Sequence, residues 1–316
     1  MRRRRWYRLC SVPVIAAGAA ILLAAGTVPA QAAAKLPLGS EAAAFTASVN
    51  PLFFKASPAG ANVACKPSAA HPYPVVLVEG TFASMFNSFG AVSPDLVNNG
   101  YCVFAFNYGQ TLPGTGIFAT GNISASAAQL STEVNKVLAA TGASKVDIVG
   151  WSQGGMMPRY YINNLGGATK VNTLVGFAPS NFGTNLDGLQ ELLTQFGLEG
   201  LATAELSVTC EACDQQLEGS SFLTGLNATP TVPGVKYVVI ETADDEVVTP
   251  FTNAFLPAAS NVQNITLQNQ CPQDHSDHIS IPYDSNALQD MVNALGPDSS
   301  SFQPSCAAVG PIDGNV

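Results

Sequence analysis

Lys145-Val146-Asp147-Ile148-Val149-Gly150-Trp151-Ser152-Gln153-Gly154-Gly155-Met156 passes from a short apolar run through a glycine-spaced turn toward a helical stretch, 155–165. It contains Gly-x-Ser-x-Gly, whose bare pattern is a weak signal and whose context is a strong one. A buried strand that reverses at once into a helix leaves no room for a Cβ on either side of the turn, so glycine stands at 150 and 154 while Ser152 is held out at the strand's carboxyl end. Pro158 lacks an N–H to donate, which predicts a helix that starts late or bends there.

Outward from this turn, similar apolar runs recur at Val75 to Val78, Tyr101 to Phe106, Val146 to Val149, Thr173 to Phe177, Val235 to Ile240 and Asn264 to Leu267. Continuous apolar runs of this length read as strands covered on both faces, as in a parallel sheet. Between the second and third lies the clearest helical period: Ile123, Ala127, Leu130, Val134 and Val137 share one face, Asn122 or Ser124 can cap the start, and Gly142 can stop it. Strand, helix, strand implies parallel pairing, and the repetition predicts one α/β domain with a mostly parallel sheet and helices on both faces. Residues 33–70, punctuated by four prolines, read as an irregular lead-in to a catalytic domain at 71–316. The stretch 184–231 exceeds an ordinary connection and reads as a helical insertion over the sheet's carboxyl edge.

At the N-terminus, Arg2 to Arg5 and Arg8 precede an apolar run, Val12 to Ala25, and a small-x-small pattern, Ala30-Gln31-Ala32. This is the form of a secretory signal peptide over 1–32, and it places the protein outside the cell. The apolar run is short for a membrane span, which needs about 20 residues. Taking those five arginines from the 13 basic residues leaves eight against 22 acidic ones, a formal charge of −14. That charge excludes nucleic acid as a natural partner. Loss of Cys10 leaves six cysteines, Cys65, Cys102, Cys210, Cys213, Cys271 and Cys306, an even number suited to disulfides in an oxidising compartment. Cys210-x-x-Cys213 has no second ligand pair, so no metal site is expected from it.

A serine hydroxyl needs a base, and the base an orienting carboxylate. The three histidines are His71, His275 and His278. With the chain order serine, acid, histidine, the base comes from the last two, and His278 is preferred because the apolar stretch Ile279 to Ile281 can anchor it. Three carboxylates, Asp244, Asp245 and Glu246, follow the penultimate strand; Asp245 is the first choice and Asp244 the alternative. Donors for an oxyanion would be the amide of Gln153 and that of Thr81 in the loop after the first strand, with the Thr81 hydroxyl as a third. Phe82, Met85, Phe86 and the insertion are candidates for an apolar acyl pocket.

Val75-Val76-Leu77-Val78-Glu79-Gly80-Thr81, Gly150-Trp151-Ser152-Gln153-Gly154-Gly155, Phe177-Ala178-Pro179-Ser180-Asn181, Asp245-Glu246-Val247-Val248-Thr249-Pro250 and Cys271 through Asp277-His278 together resemble small secreted actinobacterial lipases of the α/β-hydrolase fold and, more distantly, fungal lipase B. The resemblance spans about Cys65 to Cys306. It implies a triacylglycerol lipase or carboxylesterase with Ser152 as nucleophile, Asp245 as acid, His278 as base and Thr81 and Gln153 as oxyanion donors. It also implies no metal or organic cofactor. The expected partners are a lipid or other ester and, transiently, a lipid–water interface, and the expected state is a monomer. It pairs Cys65 with Cys102, Cys210 with Cys213 and Cys271 with Cys306. The rivals are a short-chain carboxylesterase, a polyester depolymerase and, outside the enzymes, a secreted binding protein on an inactive scaffold. One departure stands out: Glu79 occupies the place where such lipases carry His or Pro, and a charge there would oppose an oxyanion unless it points away or is paired.

Overall fold

The computed structural model of the chain describes residues 34–198, 209–297, 299, 301–311, 314 and 315. The expected signal peptide and its cleavage site lie outside the described residues, as does the middle of the expected insertion. Lys35–Val316 forms one compact unit. Six strands build its sheet: β1 (Val75–Val78), β2 (Val103–Phe106), β3 (Val146–Trp151), β4 (Val171–Phe177), β5 (Lys236–Glu241) and β6 (Val262–Thr266). All neighbours pair in parallel, in the order β2-β1-β3-β4-β5-β6.

The described helices are α1 (Glu41–Ser48), α2 (Met85–Ser88), α3 (Val92–Asn98), α4 (Ile123–Thr141), α5 (Gln153–Asn164), α6 (Leu186–Gln195), α7 (Glu211–Gln215), α8 (Ser221–Asn227), α9 (Leu267–Gln270) and α10 (Ser285–Leu295). Right-handed crossovers put the β1-to-β2 helix and the β2-to-β3 helix on opposite faces, because the two connections run in opposite directions along the sheet. Accordingly α4 packs with α5 and β3, and α10 packs with α3, β4 and β5. Covered on both sides, Val75–Val78 and Val146–Trp151 are buried throughout. Each Val, Leu or Ile so buried stabilises the fold by roughly 1.5–3 kcal/mol. In α4 the expected face Ile123, Ala127, Leu130, Val134 and Val137 is the buried one, Asn122 caps the start, and Gly142 closes the end in the left-handed region.

Three local expectations are corrected. The lead-in is not wholly irregular: Ser40 caps α1, whose Ala42–Ala44 run favours helix over coil. α5 does not start late, because it opens directly at Gln153 and carries Pro158 inside it. The last strand ends at Thr266 and Leu267 opens α9. The insertion is helical where described, through α6, α7 and α8.

The order of connection reverses at β1, so the carboxyl ends of β1 and β3 border the crevice where parallel sheets bind ligands. Val78 lies beside Gly150 in the register. The loop after β1 and the turn after β3 therefore meet at one point.

Candidate active site

At that point Ser152 takes φ 56°, ψ −121° between the end of β3 and the first residue of α5, and is 3 % exposed. Its amide donates to Phe177 O at 2.9 Å. The sharpness of the turn is measurable at its glycines. A Cβ on Gly150 would lie 1.8 Å from Gly154 O, and one on Gly154 would lie 1.9 Å from Val78 O. Phe82, Ala119 and Ala178, which border the turn, also have positive φ. Strained non-glycine residues gathered in this way mark a site that the surrounding fold over-determines.

Of the three carboxylates after β5, the structure brings Asp245 to His278: Oδ2 lies 2.8 Å from Nδ1, with both side chains fully buried. Asp245 Oδ1 also accepts the amides of Val247 and Val248, at 2.8 and 2.7 Å. The alternative residues pair with each other at the surface, His275 Nδ1 with Asp244 Oδ2 at 2.9 Å, and their side chains are 61 % and 46 % exposed. A carboxylate can only accept, so the His278 proton sits on Nδ1 and the lone pair on Nε2. That Nε2 is buried without a hydrogen-bond partner among the described residues. The His278 backbone is fixed on both sides. Its carbonyl accepts from Trp151 Nε1 at 2.8 Å, and its amide donates to Glu246 Oε2 at 3.2 Å. Trp151 thus ties the histidine's loop to the end of β3, next to Ser152. Burial pushes the imidazole down, but the charge and hydrogen bond of Asp245, with the charges of Glu246 and Asp277, outweigh it and hold His278 above its ordinary range.

The loop after β1 brings Thr81 to Gln153. The Thr81 hydroxyl oxygen accepts from Gln153 Nε2 and from Gln216 Nε2, each at 2.8 Å, and Gln153 Nε2 also donates to Ala119 O at 2.8 Å. With two N–H groups on its oxygen, the hydroxyl proton points away from both amides. Gln216 reaches this spot from the insertion, 135 residues away in sequence. It was not legible beforehand, since nothing local distinguishes it. The insertion also seals the loop through Phe196, whose ring stands 5.9 Å from that of Phe82. Phe82 and Met85 are buried and Phe86 partly so, and a cavity of about 920 Å³ is lined instead by residues that include Phe45, Gln195, Glu246, Asp277 and Ile279.

Glu79 is fully buried. Its Oε1 accepts the Tyr108 amide at 3.0 Å, while Oε2 has no partner among the described residues. Burial raises this carboxyl well above the usual carboxylate range, against the amide hydrogen bonds that lower it. Burial thus favours the protonated form of Glu79, and a carboxyl in that form does not oppose an oxyanion.

The expected cysteine pairs are all present: Cys65–Cys102, Cys210–Cys213 and Cys271–Cys306. The last brackets the stretch that carries His278. Among the described residues no group of three or more His, Cys, Asp or Glu is placed to hold a metal ion, and no helix is long and apolar enough to cross a membrane.

The family model for class 2 lipases matches residues 72–289, the span from the approach to β1 to the middle of α10. The chain belongs to the class 2 lipases. The chain is 34 % identical over 135 residues to a triacylglycerol lipase of Burkholderia plantarii, a match covering 39 % of this chain and 35 % of that one. It is 37 % identical over 97 residues to a triacylglycerol lipase of Pseudarthrobacter phenanthrenivorans, covering 29 % and 28 %. These matches span about a third of the relatives' length. Among solved structures it resembles Aspergillus fumigatus lipase B, with TM-score 0.60 and 19 % identity over 80 % of this chain and 57 % of that one. The mature form of Bacillus licheniformis lipase BlEst2 follows, with TM-score 0.52 and 16 % identity over 74 % and 96 %. At such identities the likeness speaks for the fold, which is that of the α/β-hydrolases.

Proposed function

We propose that this class 2 lipase is a secreted serine hydrolase that cleaves carboxylic esters, triacylglycerols foremost, through an acyl-enzyme. The observation that carries the reading is the buried His278–Asp245 pair, whose Nε2 is unengaged among the described residues and whose loop is tied to Trp151, the neighbour of a serine held at positive φ.

In the first step His278 Nε2 takes the Ser152 proton as Oγ attacks the ester carbonyl. Asp245 keeps Nδ1 protonated and stabilises the imidazolium without taking its proton. Charge gathers on the carbonyl oxygen, where the amides of Thr81 and Gln153 and the Thr81 hydroxyl are the donors. Gln153 and Gln216, both donating to that hydroxyl oxygen, turn its proton outward. Imidazolium then protonates the departing alcohol, and water enters by the same route in reverse to release the acid. The 1–32 segment and three disulfides support an oxidising, extracellular setting.

The test is fluorophosphonate labelling of wild type and Ser152→Ala, with peptide mapping of the adduct. Label on Ser152 alone, and a fall in turnover on the order of 10⁴ or more in the variant, are expected. A folded wild type that takes no label overturns the reading in favour of a binding protein on an inactive scaffold. A series of esters of rising acyl length then separates lipase from short-chain esterase.

A further inference from the structure

β5 ends in Glu241, four residues before Asp245, and that side chain is fully buried. Its Oε1 accepts the Thr242 amide at 2.8 Å, while Oε2 meets no N–H or O–H donor among the described residues. The group that acts on the Glu241 carboxyl most strongly is that of Asp245, through its charge and a side-chain hydrogen bond. The charges acting on Glu241 are those of Asp245 and Glu246, both negative, while Asp245 itself holds His278 Nδ1 and Asp277 acts on His278. Two buried carboxyl groups can hydrogen-bond only if one of them carries a proton.

Which one carries it follows from the donors around each. Asp245 accepts three N–H groups, from Val247, Val248 and His278, whereas Glu241 accepts one. N–H donors stabilise the anion, so the charge belongs to Asp245 and the proton to Glu241. We propose that Glu241 is a positioning residue of the reaction, a neutral carboxylic acid that donates to Asp245, keeps that carboxylate aligned on His278 Nδ1 and tempers its pull on the imidazolium. This rests on the Ser152, His278, Asp245 reading above. Burial first, and the charge of Asp245 second, raise the Glu241 carboxyl well above the usual range, in the direction the geometry requires. No proton moves to or from Glu241 during turnover: Ser152 gives its proton to His278, Asp245 remains an anion, and Glu241 remains an acid.

The experiment pairs Glu241→Gln with Glu241→Met. Hydrolysis of a soluble short-chain ester is followed by pH-stat from pH 5 to 9, and the wild-type-minus-variant infrared difference spectrum is recorded at neutral pH. The Gln amide still donates and bears no charge, so kcat/KM is expected within about threefold of wild type and the acid-limb midpoint within about 0.3 unit. Met cannot donate; Asp245 then pulls harder on the imidazolium, and the acid limb moves up by about half a unit with a loss in kcat. The difference spectrum should show a protonated-carboxyl band present in wild type and gone from the Gln variant. An acid limb that falls by about one unit in Glu241→Gln signals a removed anion and overturns the proposal, as does a spectrum without that lost band. Should the Met variant not fold, the Gln variant and the spectrum decide alone. Failure of Ser152 labelling would refute the underlying triad, whereas the infrared band reports the Glu241 proton independently of activity.

Discussion

Gly154→Ala tests whether the turn at Ser152 is as tight as the reaction requires. Gly154 sits in the first turn of α5, so its backbone conformation suits alanine; only the space does not. A Cβ there would stand 1.9 Å from Val78 O and 2.5 Å from Glu79 O, against the 3.0 Å below which real Cβ contacts essentially do not occur. The end of β1 and the start of α5 must therefore part by at least about 1.1 Å. These two segments carry the Thr81 and Gln153 amides, which the proposed mechanism directs at one oxygen. A misplacement of about 1 Å costs on the order of 10²-fold in rate, about 2.7 kcal/mol in the barrier, and overpacking costs a further 1–3 kcal/mol or so of stability. The assay is kcat/KM on a soluble ester beside fluorophosphonate labelling rate and thermal unfolding. Gly225→Ala in α8, whose Cβ would have nothing within 4 Å, is the control and should leave activity unchanged. A folded Gly154→Ala that keeps more than about a third of wild-type kcat/KM would refute the reasoning.

Asp245→Asn should lower kcat by roughly 10⁴, while Asp244→Asn changes it less than about threefold, because only Asp245 is buried against the imidazole; similar losses in both would undo the assignment. The base must be neutral, and His278 is held above its ordinary range, so kcat/KM should be full above the raised value and fall as pH drops through it. A midpoint clearly below the unperturbed histidine value of about 6.5 contradicts this. Glu79→Gln should keep kcat/KM within about threefold at neutral pH, since burial favours the uncharged form of Glu79, and a tenfold gain would instead reveal a carboxylate that had been opposing the oxyanion.

Class 2 lipase membership fits the local signals well because those signals are themselves local physics. Six apolar runs, a helical face from Ile123 to Val137 and a turn too tight for any residue but glycine at 150 and 154 are all set within a few residues. Together with right-handed connection they leave little choice but a doubly wound parallel sheet with Ser152 at its carboxyl edge. The choice between two adjacent aspartates and two nearby histidines was another matter. Asp244 and Asp245 have nearly the same sequence surroundings; what separates them is that one pairs with His278 in the interior and the other with His275 in solvent, across 33 and 31 positions. Gln216 finds Thr81 across 135 positions. The raised Glu79 and Glu241 carboxyls depend on desolvation, which no stretch of sequence contains. Backbone form is written by neighbours along the chain, whereas protonation and alignment are written by neighbours in space.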